Sequence, residues 1–448
     1  MIADRGETVK TLSETVWGDV KAFAESYARV LPDARFAATL AQLLGGLLAA
    51  RSPHLAKAAA HVGDRSKTPW ARTKRFYRLM ASPRFSHREW LRPLYADARD
   101  VVQRAGPRRV VVALDGVNLE NPYARKLEGI SRVRKSTPPG SLTDRPARIT
   151  YGYPAIVAQV VNLGEPAIPY ARLFSYRSPD FVSENRELMR ALRTIRMVLS
   201  GATVCIVADA GLDDQKLLSY ADRCRLEFVI RASHDRWVEV YNPRLQRWEL
   251  EKLKALAATL PQSFHFDTRF THAGRTTRVQ VSLNWMQIRI PKSDLVLWAV
   301  VSEGGPSSEP LILLTNRPLD TVEQAKQVYE DWRRRPTIEH LYRFIQEEGL
   351  DIEKIRLRQL ERRRRVFILI LVAALYVLRL PQAWSPVAVS WLRELGSGLA
   401  GTAMDRDGFY VILTGLQAVL IAVAVMEALQ TVPARLRRAT TTAQLSYG

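Results

Sequence analysis

Apolar residues over roughly the first hundred positions recur every three or four residues, and this spacing predicts a run of amphipathic helices. The first helix ends before Pro32, and two shorter ones follow. The fourth has a defined start, because Thr68 can cap it and Pro69 suits the first helical position. We therefore predict a helical domain over residues 1–106.

From Arg108 the pattern changes to short β-branched runs, which are typical of buried strands. One run ends at Asp115 and another at Asp209. The other elements predicted here are strands at 153–161, 167–175 and 226–232 and a helix at 184–199. An antiparallel start followed by parallel additions makes a mixed α/β sheet, with Asp115 and Asp209 on neighbouring strands.

Strand patterns continue through residues 233–318. We therefore predict a β-rich insertion that divides the α/β core into a first part, residues 107–232, and a helical second part, residues 319–365. The last part, 366–448, contains two long apolar runs. The second run reaches the lower limit for a membrane span, but Gly415 and its polar neighbours interrupt it. We predict two buried helices, one packed against the sheet and one in a C-terminal region that pairs with a second protomer. A basic membrane-associated protein is the alternative.

The charge of the chain points to a polyanionic partner. Its 448 residues carry 66 Lys and Arg against 45 Asp and Glu, for a formal charge of +21. Nucleic acid is the first candidate and an anionic membrane surface the second. Cys205 and Cys224 lack metal-ligand spacing, and so few cysteines suggest a reducing compartment. With no predicted signal peptide, we expect a cytoplasmic location.

Two basic segments are candidate DNA contacts. The fourth helix sets Arg72, Lys74 and Arg75 beside Trp70, a combination that suits a major-groove reader and equally a bundle with one solvated basic face. After Asp115 we predict a Pro-, Gly- and Ser-rich loop to about residue 148, which would attract a phosphate backbone or remain an ordinary surface loop. Its basic residues are Arg125, Lys126, Arg132, Arg134, Lys135, Arg145 and Arg148.

A third carboxylate lies in the stretch Trp332–Gln346. Glu339 shares one helical face with Arg335, Arg343 and Gln346, side chains that can hold phosphate oxygens. Three acids brought together could bind two divalent metals, because Mg²⁺ prefers oxygen ligands. The simpler alternative is three carboxylates in unrelated ion pairs.

Several short sequence motifs, taken together, resemble those of one family. They are LDGV at Asp115, VADAGLDD at Asp209, FVIRA at 228–232 and LILLTNRP at 311–318, followed by the helix with Glu339. In this order they resemble the ribonuclease-H-like core of DDE transposases from bacterial insertion sequences. Within these, the resemblance is to the insertion-sequence-four type, with a β-strand insertion and a Tyr-Arg-Glu-Lys signature. It spans about 108–365.

The resemblance implies a ribonuclease-H-like mixed sheet with a β-rich insertion, flanked by helical terminal domains. It also implies Asp115, Asp209 and Glu339 as catalytic residues and ligands of Mg²⁺, for which Mn²⁺ can substitute. The substrate would be double-stranded DNA, cut at the terminal inverted repeats of an insertion sequence and joined to a target by a homodimer without a small-molecule cofactor. A tryptophan of the insertion would stack a flipped base; the candidates are Trp237, Trp248, Trp285 and Trp298.

The signature itself is incomplete. Trp332 stands at the tyrosine position and Gln346 at the lysine position. Glu347 and Glu348 compete with Glu339 as the third acid. An inactive, transposase-derived DNA-binding protein therefore stays open beside the active enzyme.

Overall fold

The computed structural model of the chain describes residues 2–29, 31, 33–62, 68–106, 108–124, 126–135, 149–233, 235–261, 263–272, 275–304, 309–401 and 408–430. The chain divides into two compact units. One comprises Met1–Pro93 with Phe344–Gly448, and the other comprises Leu94–Arg343.

Helices dominate both ends of the described chain, and strands dominate its middle. The helices are α1 (Ile2–Ala28), α2 (Ala34–Ala50), α3 (Leu55–His61), α4 (Pro69–Ala81), α5 (His87–Ala105), α6 (Glu184–Val198), α7 (Gln215–Arg223), α8 (Leu253–Thr259), α9 (Val322–Trp332), α10 (Pro336–Arg343), α11 (Leu360–Ala383), α12 (Pro386–Ala400) and α13 (Gly408–Gln430). The strands are β1 (Arg109–Glu120), β2 (Ser131–Arg134), β3 (Ile149–Val160), β4 (Ala167–Leu173), β5 (Thr203–Ala208), β6 (Glu227–Arg231), β7 (Trp237–Asn242), β8 (Arg247–Lys252), β9 (Phe264–His272), β10 (Arg275–Arg289), β11 (Val296–Glu303) and β12 (Leu311–Thr315).

A large mixed sheet organises the unit Leu94–Arg343. β3 pairs antiparallel with β1 and, along its other edge, with β2 and β4. β5 joins β1 in parallel, and β6 joins β5 in parallel. The predicted mixed α/β sheet is confirmed, with β1 and β5 as neighbours.

The strand predicted to stop at Leu114 continues to Glu120, so the prediction of a loop directly after Asp115 is wrong. Residues 115–120 pair antiparallel with 152–157 of β3. This pairing satisfies their backbone groups although the sequence there turns polar, so tertiary pairing overrides the local pattern. The predicted loop also contains β2; its segment 136–148 lies outside the described residues.

The strands of residues 233–318 extend the same sheet. β12 pairs antiparallel with β6, and β11 and β10 follow in order. β7 and β9 both pair with β10, and β8 pairs with β7. β-Structure is thus present where the sequence predicts it, and it is hydrogen-bonded to the core sheet through β12.

Apolar helix faces cover the sheet. α6 buries Leu188, Leu192 and Ile195 against β3 and β4, and its start is fixed by Ser183, whose hydroxyl accepts from the Arg186 amide. α9 packs on β5, β6 and β10 to β12, and α10 packs on β1. The helix carrying Glu339 is therefore held on the strand carrying Asp115.

The other unit is helical and combines both ends of the chain. Ser13 Oγ of α1 donates to the Val419 carbonyl of α13 at 2.8 Å. Trp17 Nε1 donates to the Leu420 carbonyl at 3.3 Å. Arg365 of α11 is buried and donates to the carbonyls of Met80, Ser82 and Phe85. Side-chain bonds to backbone thus join helices far apart in sequence.

In the described part of the chain, α11 alone is long and apolar enough to pass as a membrane span, with a mean hydropathy of 2.1 in its most apolar window. That window is 83% buried inside the protein, and residues 366–380 are buried without a break. α11 packs against α2, α4, α12 and α13. This is the burial of a core helix, as predicted for the first apolar run.

Candidate active site

The sheet brings Asp115 and Asp209 together. Ala113 of β1 pairs in parallel with Val207 of β5, and two further residues along each chain reach the two aspartates. Each carboxylate uses one oxygen locally: Asp115 Oδ1 accepts from the Gly116 amide at 2.8 Å, and Asp209 Oδ1 accepts from the Ala210 amide at 2.9 Å. The Oδ2 atoms remain for a shared partner.

Glu339 reaches the same place because a break separates α9 from α10. α9 ends at Trp332 and α10 begins at Pro336, because a proline suits the first position of a helix and not its interior. Trp332 Nε1 donates to the Ala208 carbonyl at 3.3 Å, next to Asp209. Trp332 at the signature tyrosine position thus anchors the end of α9 to β5.

A second anchor lies on α10. The buried Tyr342 hydroxyl donates to the Asp115 carbonyl at 2.8 Å. The α10 backbone is thereby fixed to β1 at the residue that carries the first carboxylate. Sequence reasoning did not single out Tyr342, whose only signal is its position three residues after Glu339 on the same helix.

The three carboxylates converge on the guanidinium of Arg335. Its Nη2 lies 3.2 Å from Asp115 Oδ2 and 3.6 Å from Asp209 Oδ2, and its Nη1 donates to Glu339 Oε1. The Arg335 side chain is 13% exposed. Arg231 adds a more distant charge, with Nη1 3.9 Å from Asp209 Oδ1. The predicted acids thus form one cluster around one cation.

The cluster changes the acidity of Asp115. Burial raises the pKa of this carboxyl from 3.8 to about 6. The Arg335 charge and the Gly116 hydrogen bond oppose the rise in pKa, while the negative charges of Glu339 and Asp209 add to it. A carboxyl shifted in this way by burial and like charges is a feature of functional sites.

A cavity of about 510 Å³ opens beside Asp115. Arg132 and Arg134 of β2 line one part of it, and Phe174 and Tyr176 line another. Both arginines are exposed, as is Lys135 next to them. Basic side chains therefore stand beside the carboxylate cluster, as predicted for this segment. Three of its other predicted cations, Arg125, Arg145 and Arg148, lie outside the described residues.

The remaining predicted contacts are dispersed. Arg343, at the end of α10, is exposed. Gln346 belongs to the other compact unit, in a π-helical turn at Phe344–Glu348, where its Nε2 donates to Glu353 Oε1 at 3.0 Å. The side chains of Glu347 and Glu348 lie outside the described part of the structure.

On α4 the prediction needs a correction. Arg72 is buried, and its Nε donates to the Ala59 carbonyl at 2.8 Å, so this side chain stabilises helix packing and is not on the surface. Arg75 Nη2 donates to Gln42 at 2.7 Å, while Lys74 is exposed. A charge pattern alone cannot separate the inward and outward arginines of one helix.

The outward face of α4 combines the predicted Trp70 with Tyr77 and Arg78, which the sequence analysis did not single out. Trp70 is 66% exposed and Tyr77 40%, and Arg78 is exposed as well. The Lys74 ammonium lies over the Trp70 ring at 5.1 Å. With Lys74 these positions are spaced four, seven and eight residues from Trp70, so they form one face, and that spacing was the available signal.

Of the four tryptophans proposed to stack a base, Trp237 is the most open, at 46% exposed. Trp285 is fixed by its Nε1 bond to the Leu319 carbonyl and by stacking on Phe264. Trp248 has the Arg289 guanidinium over its ring, and Trp298 is partly buried in β11. The choice among them stays a prediction.

The donor chemistry of the cluster suits a divalent cation, since three carboxylates supply the oxygen ligands that Mg²⁺ and Mn²⁺ take. Its present arrangement does not form a metal site. Among the residues that the structure describes, no three Asp, Glu, His or Cys side chains stand close enough to hold a metal ion. A guanidinium is the cation among these carboxylates.

Comparison with known proteins finds similarity among solved structures. The chain matches no protein-family model and no curated protein. Among solved structures it is similar to the cryo-EM structure of a piggyBac transposase synaptic complex with hairpin DNA. The match has 11% identity and a TM-score of 0.40, over 94% of this chain and 82% of that chain.

Proposed function

We propose that the chain is a DDE-type DNA transposase that cuts the terminal inverted repeats of an insertion sequence and joins the free ends to target DNA. The observation behind this proposal is the convergence of Asp115, Asp209 and Glu339 around the Arg335 guanidinium. Unrelated ion pairs would not need three acids, from β1, the end of β5 and α10, around one guanidinium.

Each residue has a defined task in this proposal. Asp115, Asp209 and Glu339 would hold Mg²⁺ or Mn²⁺, which when bound would activate water or a 3′-hydroxyl and stabilise the leaving oxygen. Trp332 and Tyr342 position the backbone that presents the acids. Arg132 and Arg134 would attract the phosphate backbone to the cavity beside Asp115.

Double-stranded DNA is the proposed partner, since the net charge of +21 suits a polyanion and exposed basic residues stand beside the acids. The insertion-sequence-four type, a homodimer in the DNA complex and a cytoplasmic location follow from the resemblance to that family and stay part of the proposal.

Cleavage of a labelled duplex tests the function. The duplex carries the ends of the DNA element that encodes the chain, and Mg²⁺ is added to the parent protein, Asp209→Asn and Glu339→Gln. We expect cleavage by the parent alone and DNA binding by all three. Glu303→Gln, which alters an exposed acid at the end of β11, is the matched control and should cleave like the parent.

A second candidate function is sequence-specific DNA binding without catalysis. It is favoured by Trp332 and Gln346 at the signature positions and by the arginine among the acids. The same experiment separates the two functions. A parent protein that binds the duplex and leaves it intact with both Mg²⁺ and Mn²⁺ would support the inactive protein and contradict the transposase.

A further inference from the structure

Arg335 contacts the carboxylates of three acids at once. Its two outer nitrogens contact carboxylates of Asp115, Asp209 and Glu339. Its Nε is buried and has no hydrogen-bond partner among the residues that the structure describes. An unsatisfied buried donor costs free energy, so the attraction of three negative charges must hold the guanidinium in this position.

Two arginines of the helical unit, Arg365 and Arg72, are bonded differently. Arg365 donates to three backbone carbonyls, and Arg72 donates to the Ala59 carbonyl. Such bonds tie elements together and cannot be exchanged for an ion. The contacts of Arg335 are all to carboxylates, which are also ligands for divalent cations.

We infer that Arg335 is the resident counter-ion of the carboxylate cluster: its guanidinium occupies the position of the divalent cation and has to leave before a cation can bind there. This inference rests on the proposed function, because it takes Asp115, Asp209 and Glu339 as the metal ligands. It explains why the described residues show the three acids together and yet no arrangement that holds a metal.

The side chain can leave without a change in the fold. Arg335 lies in the connection between α9 and α10, and the backbone on either side is fixed by Trp332 and Tyr342. A rotation about the side-chain bonds of Arg335 is therefore enough. A phosphate of bound DNA would offer the departing guanidinium a bidentate partner, which arginine binds well.

Competition between arginine and metal has a thermodynamic consequence. Whatever draws Arg335 from the acids raises their affinity for a divalent cation, and the cation in turn favours the displaced arginine. DNA binding and metal binding then support each other, and the DNA-free protein binds metal weakly. Arg335 thus acts as a positioning residue for the acids and restrains metal loading.

Metal binding by the DNA-free full-length chain tests this inference. Mn²⁺ is titrated at neutral pH, and free Mn²⁺ is measured by electron paramagnetic resonance for the parent, Arg335→Gln and Arg334→Gln. Arg334→Gln is the matched control, since it removes the same charge from the neighbouring, exposed residue. We expect Arg335→Gln to bind Mn²⁺ at least about tenfold more tightly than the parent, and Arg334→Gln to bind like the parent.

Equal or weaker Mn²⁺ binding by Arg335→Gln would overturn the inference. DNA cleavage by the parent, measured separately, would still support the proposed function in that case, so the two failures are distinguishable. Should Arg335→Gln not fold, Arg335→Lys replaces it, because an ammonium lacks the paired contacts of a guanidinium. It should bind Mn²⁺ more tightly than the parent, and unchanged or weaker binding would again overturn the inference.

Discussion

Buried charges support the site from the opposite end of the sheet. Asp331, near the end of α9, is buried and accepts from Arg317 Nη1 at 3.0 Å, from Gln327 Nε2 at 2.9 Å and from Arg109 Nη2. Arg109 also donates to Glu227 at 2.7 Å. These bonds connect α9 with the starts of β1 and β6, and they fix the helix from which the connection with Arg335 departs.

Neutralising Asp331 should therefore destabilise the protein. Asp331→Asn removes the buried carboxylate that Arg109 and Arg317 share and leaves them the more exposed Glu227. Breaking such a buried pair costs up to about 3–5 kcal/mol. Urea unfolding measures the difference in free energy of unfolding from the parent. Asp320→Asn, at an exposed position just before α9, is the control and should change that free energy by less than about 0.5 kcal/mol. Equal effects of the two substitutions would contradict the role given to Asp331.

The carboxyl of Glu361, at the start of α11, has a lowered pKa in the folded protein. Burial alone would raise the pKa of its carboxyl, but hydrogen bonds from the ring and amide of His87 and the charge of Arg365 outweigh it and lower the pKa to about 2. The folded state thus prefers the ionised form, compared with an ordinary pKa of 4.5. The resulting stabilisation is complete above about pH 4.5 and is lost as the pH falls towards 2.

Glu361→Gln should remove this dependence. The free energy of unfolding at pH 6 should be lower in the variant than in the parent. At pH 3 the difference between the two free energies should be smaller, because Glu361 of the parent is then partly protonated and stabilises the fold less. Chemical denaturation at the two pH values gives both differences. A gap that stays constant, or that widens in acid, would show that the charge of Glu361 does not stabilise the fold.

On α4, the position of a residue around the helix decides whether its side chain is buried or exposed. Thr68 caps the helix as predicted, with its Oγ1 accepting from the Ala71 amide at 3.2 Å. The basic residues divide between an inward Arg72 and an outward Lys74 and Arg78. The outward face combines cations with exposed aromatic rings, which suits contact with phosphate and bases.

Removing the outward charges should weaken DNA binding without affecting the fold. The double variant Lys74→Gln, Arg78→Gln should lower affinity and make its dependence on salt concentration shallower by about 1.8 in the log–log slope, for two lost phosphate contacts on duplex DNA. Fluorescence anisotropy at several salt concentrations measures this. The double variant Lys21→Gln, Lys57→Gln removes the same charge from exposed positions of α1 and α3 and should keep the parent slope.

The sequence predicts elements better than their ends. Helix starts with a capping residue, at Thr68 and Ser183, could be read directly because the chemistry is local. The extension of β1 beyond Asp115 could not, because it depends on pairing with β3, far along the chain. The break before Pro336 was predictable from proline geometry, whereas the π-helical turn after Arg343 had no local signal.

For the whole molecule, the order of strands is the feature that the sequence predicts best. The composition of the β-branched runs and the rules for connecting strands predicted a mixed sheet with Asp115 beside Asp209. The structure confirms both predictions. Three features required the folded chain: the burial of Arg72, the joining of both chain ends in one helical unit, and the position of Arg335 among the acids. Each depends on contacts between segments that are far apart in the sequence, and charge and periodicity do not predict such contacts.

The proposed function requires the clustered acids to act on DNA. The decisive measurement is the single-turnover cleavage rate of a terminal-repeat duplex, followed against Mg²⁺ concentration for the parent and for Asp115→Asn. We expect a parent rate that rises with Mg²⁺ and saturates, and an Asp115→Asn variant that binds the duplex equally well and leaves it intact. A variant that cleaves at the parent rate, or a parent that binds the duplex and never cleaves it, would contradict the proposed function.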